Sequence, residues 1–502
     1  MKHYIIGIDI GTQGTKSMIF DTDMNVVASA FEQSCLISPK PGTVWQQPEE
    51  IYLSCVRTIK QMMDETQIAP ASVLSIAIDG QMAGIIGIDR EGNAVTPYDS
   101  WLDTRCGKYL DILRETSEKE LIRTSGGQVT YGHAPKIIWW KNEHSDIYNK
   151  ICKFVVPQAY VVGKMTGLSA EEQFMDYTCI VFSGFGDTVK KAWSENLLRE
   201  FNIDKNKLPR MVSPFDIVGT TKKEFGDLCG LREGIPVAAG AGDTAASTFG
   251  AGHFEENTLL DCAGTASNLC AAVREYVPDL EYKTLIMLRS PIDGLYIPLS
   301  YINGGGLCIK WFQSEFTGEP HATYEMLEKE AEMVEAGSEG IFFIPHFAGR
   351  VLPNDPDIKG SFSGLDWKHK RAHLYRAIME GIAYEYWYYF SVLKTLYPNV
   401  KPNVMRSIGG GSKSRLFCSI KADVLGMDVI PLMLGDAALV GSAVIGAVGA
   451  GIIPDYREAI SKTIDCGNVI RFCGQNYDRY QKYAQAYQKK VLAMHALYTD
   501  TI

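Results

Sequence analysis

The chain has 502 residues, 46% of them apolar and 22% charged, with a formal net charge of −10. That balance excludes a largely disordered chain, a coiled coil and a collagen-like repeat, and the length predicts two large domains. No Lys/Arg-rich run marks a nucleic-acid footprint and no run of 18 apolar residues marks a membrane span, so neither partner is expected.

The twelve cysteines are dispersed with no Cys-x-x-Cys pair. This argues against a zinc or thioredoxin-type site and suits buried thiols in a reducing cytoplasm. The N-terminus reaches Asp9 too soon for the apolar stretch of a signal peptide.

Residues 4–9 (YIIGID) are apolar and β-branched and predict a buried strand. The turn Ile10-Gly11-Thr12-Gln13-Gly14-Thr15 follows, residues 16–20 resume a strand, and a second turn leads to a third strand over 26–30. Pro48–Thr66 predicts a helix, with Ile51, Cys55, Ile59 and Met62 three or four residues apart. Residues 74–79 read as another apolar strand, ending at Gly80-Gln81-Met82-Ala83-Gly84, and residues 235–239 as a strand that leads to Asp243. The mixture predicts an α/β architecture.

Past the middle the opening pattern returns. A strand over 258–261 runs into Cys262-Ala263-Gly264-Thr265-Ala266-Ser267, and a strand follows over 268–273. This weak repeat predicts two related domains, 1–252 and 253–502, divided in the polar stretch 250–257. Arg371–Leu396 predicts a long helix whose Tyr and Trp cluster reads as packing, and residues 477–498 predict a surface helix with a Tyr/Ala/Leu face.

Five stretches carry chemistry. Glycines in Gly11-Thr12-Gln13-Gly14-Thr15-Lys16 let a tight turn aim N–H groups at an anion, and Asp9 can hold magnesium through water. An ordinary glycine-rich hairpin is the competing reading. Asp243, among small residues at a strand end, is a candidate general base or a helix cap, and the two roles are compatible. Asp261 to Ser267 reads like the first hairpin. Gly409-Gly410-Gly411-Ser412 lets backbone lie flat against a planar or phosphorylated ligand, and residues 435–443 read as a small-residue helix that packs closely against a neighbour.

In this order, the segments resemble the FGGY family of carbohydrate kinases, and most closely its xylulokinase-like branch, over about residues 4–451. Asp9 to Lys16 resembles the first phosphate motif and Gly264-Thr265 the second. Gly80-Gln81-Met82 and Trp101-Leu102-Asp103-Thr104-Arg105 resemble sugar-side motifs, and Ala134-Pro135-Lys136-Ile137-Ile138-Trp139 a P-K-x-x-W segment. Gly242-Asp243 is similar to the catalytic motif, Gly349-Arg350 with Pro353 and Gly360 to a further segment, and Gly409 to Ser412 to the adenosine loop.

The resemblance implies two actin-like ATPase (ribonuclease-H-like) domains with a cleft between them, sugar mainly on the first and ATP mainly on the second. It implies phosphorylation of a ketopentose such as D-xylulose to the 5-phosphate, with Asp243 as general base and Mg2+ at Asp9 and Asp243. Nucleotide would meet Asp9, Gly11, Thr12, Gln13, Lys16, Gly264, Thr265, Gly409, Gly410, Gly411 and Ser412. Sugar would meet Gln81, Met82, Ala83, Trp101, Asp103, Arg105, Asp243 and Thr244. A homodimer is expected from the family alone.

Three positions depart from the xylulokinase pattern. Ala83 stands where His is usual, Thr244 where Asn is usual, and His133 where Ser, Thr or Pro is usual. Loss of a hydroxyl partner changes selectivity strongly, so another ketose, a polyol or a sugar acid stays open, while the lack of an Arg-Glu pair in the 80–84 loop argues against glycerol. His133 reads as a structural histidine or as a replacement contact. An actin/Hsp70-like clamp would lack the Trp-x-Asp-x-Arg motif, and a non-catalytic sensor would lack Asp9 or Asp243.

Overall fold

The computed structural model describes residues 2–318 and 320–499. The chain folds into two units. The first comprises Met1–Phe254, Met287–Tyr296 and Leu434–Ile464, and the second Glu255–Ile286, Ile297–Met433 and Asp465–Ile502.

In the first unit a seven-stranded sheet runs in the order Ile217–Thr220, Pro236–Ala238, Val73–Gly80, Tyr4–Ile10, Gly14–Asp21, Val26–Gln33, with Ala241–Gly242 also paired to Val73–Gly80. Tyr4–Ile10 is antiparallel to Gly14–Asp21 and parallel to Val73–Gly80. Its isoleucines Ile5, Ile6 and Ile8 are fully buried, because helices cover both faces of the sheet. Helix Pro48–Thr66 lies on the face of Thr15 and Ser17, whose hydroxyls meet those of Ser54 at 2.6 Å and Thr58 at 2.7 Å. Helix Ala437–Gly449 lies on the face of Gly7, where a Cβ would stand 2.6 Å from the Leu439 carbonyl oxygen.

The second unit repeats the plan. Thr258–Ala263 is antiparallel to Ser267–Ala271 and parallel to Val404–Ile408, which is parallel in turn to Asp428–Met433. Helix Arg371–Leu396 packs against Arg415–Leu425, and both meet the C-terminal helix Gly474–Thr499.

That last helix lies at the surface, as expected, and it buries its Tyr/Ala face while Leu492 and Leu497 stay exposed. Tyr480, Ala484 and Tyr487 are fully buried and Val491 nearly so, an apolar stripe spaced by three or four residues. The Tyr480 hydroxyl donates to Glu380 at 2.7 Å and the Tyr487 hydroxyl to Glu385 at 2.8 Å. The phenols therefore serve as buried partners for carboxylates of Arg371–Leu396, which is why so many tyrosines stand at these positions.

Candidate functional site

Strand register in the first unit places three ionisable side chains in a row. Asp9 faces Lys16 on one side and Asp79 on the other. Helix Ala437–Gly449 stands over this row: Lys16 Nζ pairs with Asp436 at 3.1 Å, and the Ser442 hydroxyl donates to Asp79 Oδ2 at 2.6 Å. Burial first, then the charges of Asp243 and Asp436, raises Asp9 to about 7 against the pull of Asp79 and Lys16. Burial and Asp9 push Asp79 well above the usual carboxylate range.

The Oδ1 atoms of Asp9 and Asp79 are buried without a hydrogen-bond partner. Carboxyl oxygens so placed call for a shared proton or a cation. Among the described residues, no group of three or more His, Cys, Asp or Glu side chains is placed to hold a metal. A cation here would take one or two carboxylates and complete its shell with water or phosphate oxygens, which fits magnesium.

Asp243 is the first residue of helix Asp243–Gly250, delivered there by Ala241–Gly242, which pairs with Asp79 and Gly80. Its Oδ1 accepts the Thr244 N–H at 2.5 Å and the Thr244 hydroxyl at 3.1 Å. It thus satisfies a first-turn amide, as a helix-capping residue would, although Gly242 holds the cap position itself. Burial raises its pKa against those two bonds. The Gly242 N–H donates to the Thr178 hydroxyl at 2.9 Å, and Thr178 is bound in turn by Asp176.

The sugar-side candidates form one polar network with the first hairpin. The Trp101 indole N–H donates to the Thr12 hydroxyl at 2.9 Å, Thr12 donates to Gln81 Oε1 at 3.2 Å, and Gln81 donates to Gln46 Oε1 at 3.2 Å. Trp101 is partly exposed, whereas Gln81, Gln46 and Met82 are buried and Ala83 is half-buried. Asp103 is buried and committed to protein partners, Arg105 at 2.8 Å and the Val44 N–H at 2.8 Å. Arg105 also pairs with Asp99 at 2.5 Å. Lys136 is buried and holds this loop from below, donating to the Asp103 carbonyl at 3.2 Å and the Tyr131 carbonyl at 2.6 Å. His133 is buried, with Nε2 2.7 Å from the Met82 carbonyl oxygen, and burial lowers its pKa to about 4.

In the second unit, Gly264 and Thr265 are exposed at the hairpin turn, and the glycine turn 409–411 lies against the same strand end. Gly409 has φ +88°, and a Cβ there would stand 2.8 Å from the Ala263 carbonyl oxygen. The Ser412 hydroxyl donates to the Gly409 carbonyl at 2.7 Å, which closes that turn. The start of helix Gly305–Phe316 is pressed on the hairpin: Gly306 and Leu307 donate to the carbonyls of Gly264 and Thr265 at 3.2 and 3.1 Å.

Asp261 does not behave like Asp9, although the two segments read alike. It is fully buried and bound by Lys421 at 2.5 Å, the Ser407 hydroxyl at 2.6 Å and the Tyr386 hydroxyl at 2.8 Å. It belongs to the core. Four positions escaped the sequence reading as site residues: Gln46, Asp79, Asp436 and Ser442. Asp79, at the end of its strand beside the 80–84 loop, carried a visible signal. The others come to the site only through register and packing.

Residues 4–250 match the family model for the N-terminal domain of the FGGY family of carbohydrate kinases, and residues 286–450 that for the C-terminal domain. The chain is 26% identical over 487 residues to a xylulose kinase of Bacillus subtilis, covering 97% of this chain and 96% of that one. It is also 26% identical over 476 residues to a gluconokinase of the same organism, covering 92% and 91%. The solved structure of a gluconate kinase from Lactobacillus acidophilus matches with a TM-score of 0.91 at 21% identity, over 100% of both chains.

Proposed function

The chain belongs to the FGGY family of carbohydrate kinases, with two actin-like ATPase domains of α/β class, and on that premise we propose that it phosphorylates a ketopentose, D-xylulose giving the 5-phosphate. The observation that carries the reading is Asp243. It is a half-buried carboxylate at the start of the helix that follows Ala241–Gly242, one oxygen taken by Thr244, in the same electrostatic group as Asp9.

On this reading the oxygen of Asp243 that Thr244 does not engage accepts the proton of the attacking sugar hydroxyl. A carboxylate raised by burial is a better proton acceptor than one in water. Trp101 and Gln81 orient the sugar, and Asp103, bound by Arg105 and the Val44 N–H, fixes the loop that carries Trp101. The N–H groups of the Gly11 to Thr15 turn, with Lys16, meet phosphate oxygens, and Gly264, Thr265 and the turn at Gly409 to Ser412 hold the nucleotide. Asp9 and Asp243 would hold magnesium, which would supply neutralisation of the phosphate charge. Phosphoryl transfer needs positioning and charge neutralisation more than covalent chemistry, and these residues supply both.

A sugar acid such as gluconate is the second reading, favoured by the equal identity to a gluconokinase. Ala83 and Thr244 would set the choice between them. The reading also expects a cytoplasmic homodimer. Among the described residues, no helix is long and apolar enough to cross a membrane.

The test is ADP release with ATP and magnesium against a panel of ketopentoses, tetruloses, polyols and sugar acids, repeated with Asp243→Ala. Turnover of D-xylulose, lost in the variant, is the expected result. Turnover of gluconate instead moves the substrate to the second reading. Silence across the panel with ATP still bound overturns the proposal.

A further inference from the structure

His133 stands at the first position of helix His133–Glu143, far in sequence from the loop it touches. The residue is 3% exposed, and its ring Nε2 lies 2.7 Å from the Met82 carbonyl oxygen. A carbonyl oxygen only accepts, so Nε2 carries the proton. A group with its pKa lowered to about 4 stays a neutral, single-proton donor throughout the neutral range.

Met82 is the middle residue of Gln81-Met82-Ala83. Its side chain lies on Gly242: a Cβ there would stand 2.4 Å from Met82 Cγ and 2.6 Å from Sδ. Gly242 is the residue before Asp243, and its N–H is held from the other side by Thr178. The imidazole, the Met82 backbone, the Met82 side chain and the start of the Asp243 helix therefore form one chain of contacts. Without the imidazole, a buried carbonyl would lose its donor, and the loop would rise or turn to find another.

We propose that His133 is a positioning residue for sugar recognition, its Nε2–H fixing the Met82 carbonyl and so the height of residues 81–83 against Gly242 and Asp243. The inference rests on the reading of that loop as the sugar side of the site. It gives His133 a task distinct from replacing a side chain at Ala83: the ring sets where the loop stands and does not itself meet the sugar.

The test compares His133→Gln with His133→Asn. Glutamine carries its amide nitrogen about as far from the backbone as imidazole Nε2, whereas asparagine falls one bond short. The wild-type enzyme is first run on the sugar panel. No turnover there refutes the proposed substrates, and the His133 proposal is then decided by calorimetric titration of the panel sugars into the wild-type, Asn and Gln proteins, with sugar binding weakened only by Asn supporting it and equal binding in all three, or none in any, overturning it. With a substrate in hand, the Asn variant is expected to raise KM for the sugar about tenfold, the worth of one hydrogen bond, with KM for ATP unchanged, and Gln to restore it to within about threefold.

Equal sugar KM in all three proteins overturns the proposal, as does a parallel rise in both KM values. Should the Asn variant fail to fold, calorimetric titration of sugar into the wild-type and Gln proteins decides. Binding kept by Gln supports the donor role, and binding lost despite the retained donor overturns it.

Discussion

Asp9 stands two residues before Gly11, and Asp261 stands three before Gly264. Side chains alternate along a strand, so the extra residue turns Asp261 to the opposite face of its sheet. There it meets Lys421, which is 160 positions away in the chain and fully buried with it. The turn chemistry of both segments was legible in the sequence because glycine and threonine act locally. The partner of Asp261 was not, because nothing near Lys421 marks it as a core cation. Lys421→Met leaves a buried carboxylate with only two hydroxyl partners, and is expected to cost about 3–5 kcal/mol in urea unfolding of the second unit. Adding Asp261→Asn should recover part of that loss. An equal loss in the single and double variants would place the cost in packing and not in charge.

The hairpins, the helices Pro48–Thr66 and Arg371–Leu396 and the strand beneath Asp243 follow from periodicity and punctuation. The small residues after Asp436 likewise announce close packing, but not what they pack on. The structure gives the answer. A Cβ at Gly441 would stand 2.2 Å from the Ala246 carbonyl oxygen, and one at Gly250 would stand 1.9 Å from that of Ala437. Helices Ala437–Gly449 and Asp243–Gly250 thus touch backbone to backbone, which ties the seat of Asp243 to the helix that carries Ser442. Gly441→Ala would stabilise an isolated helix by about 1 kcal/mol. Here the clash is with backbone, which cannot swing aside, so a loss of about 1–3 kcal/mol is expected. The sign is the informative quantity: a urea midpoint that rises would mean the two helices part more easily than the contact implies.

The chain passes between its units after residues 254, 286, 296, 433 and 464. Local composition marks the first passage as a polar, glycine-bearing stretch. The later ones depend on which sheet a distant segment covers, which a single sequence does not display. Each unit also holds a buried ionisable group whose shift gives acid stability a distinct window. In the first, burial lowers His133 from 6.5 to about 4. Between those values the unfolded chain binds the proton and the folded chain does not, so the contribution is full above pH 6.5 and is lost as pH falls to 4. In the second, burial alone would raise Glu385, but Arg350 at 2.8 Å and His346 at 3.2 Å overcome it and lower the group from 4.5 to about 2. Its contribution is full above pH 4.5 and is lost towards pH 2. Each shift corresponds to about 3 kcal/mol at most.

Asp99 and Asp176 work in the opposite sense. Burial raises both to about 6, so the folded first unit binds their protons more readily than the unfolded chain, which favours the fold as pH drops. A bare acid titration therefore mixes signs, and differences between variants isolate each group. The urea stability of wild type minus His133→Gln should shrink as pH falls from 6.5 to 4 and then level off. Wild type minus Glu385→Gln should stay constant over that range down to about 4.5 and fall only below it. Two differences that moved together through a single window would mean that one shared transition, and not these two buried groups, sets the acid limit of the fold.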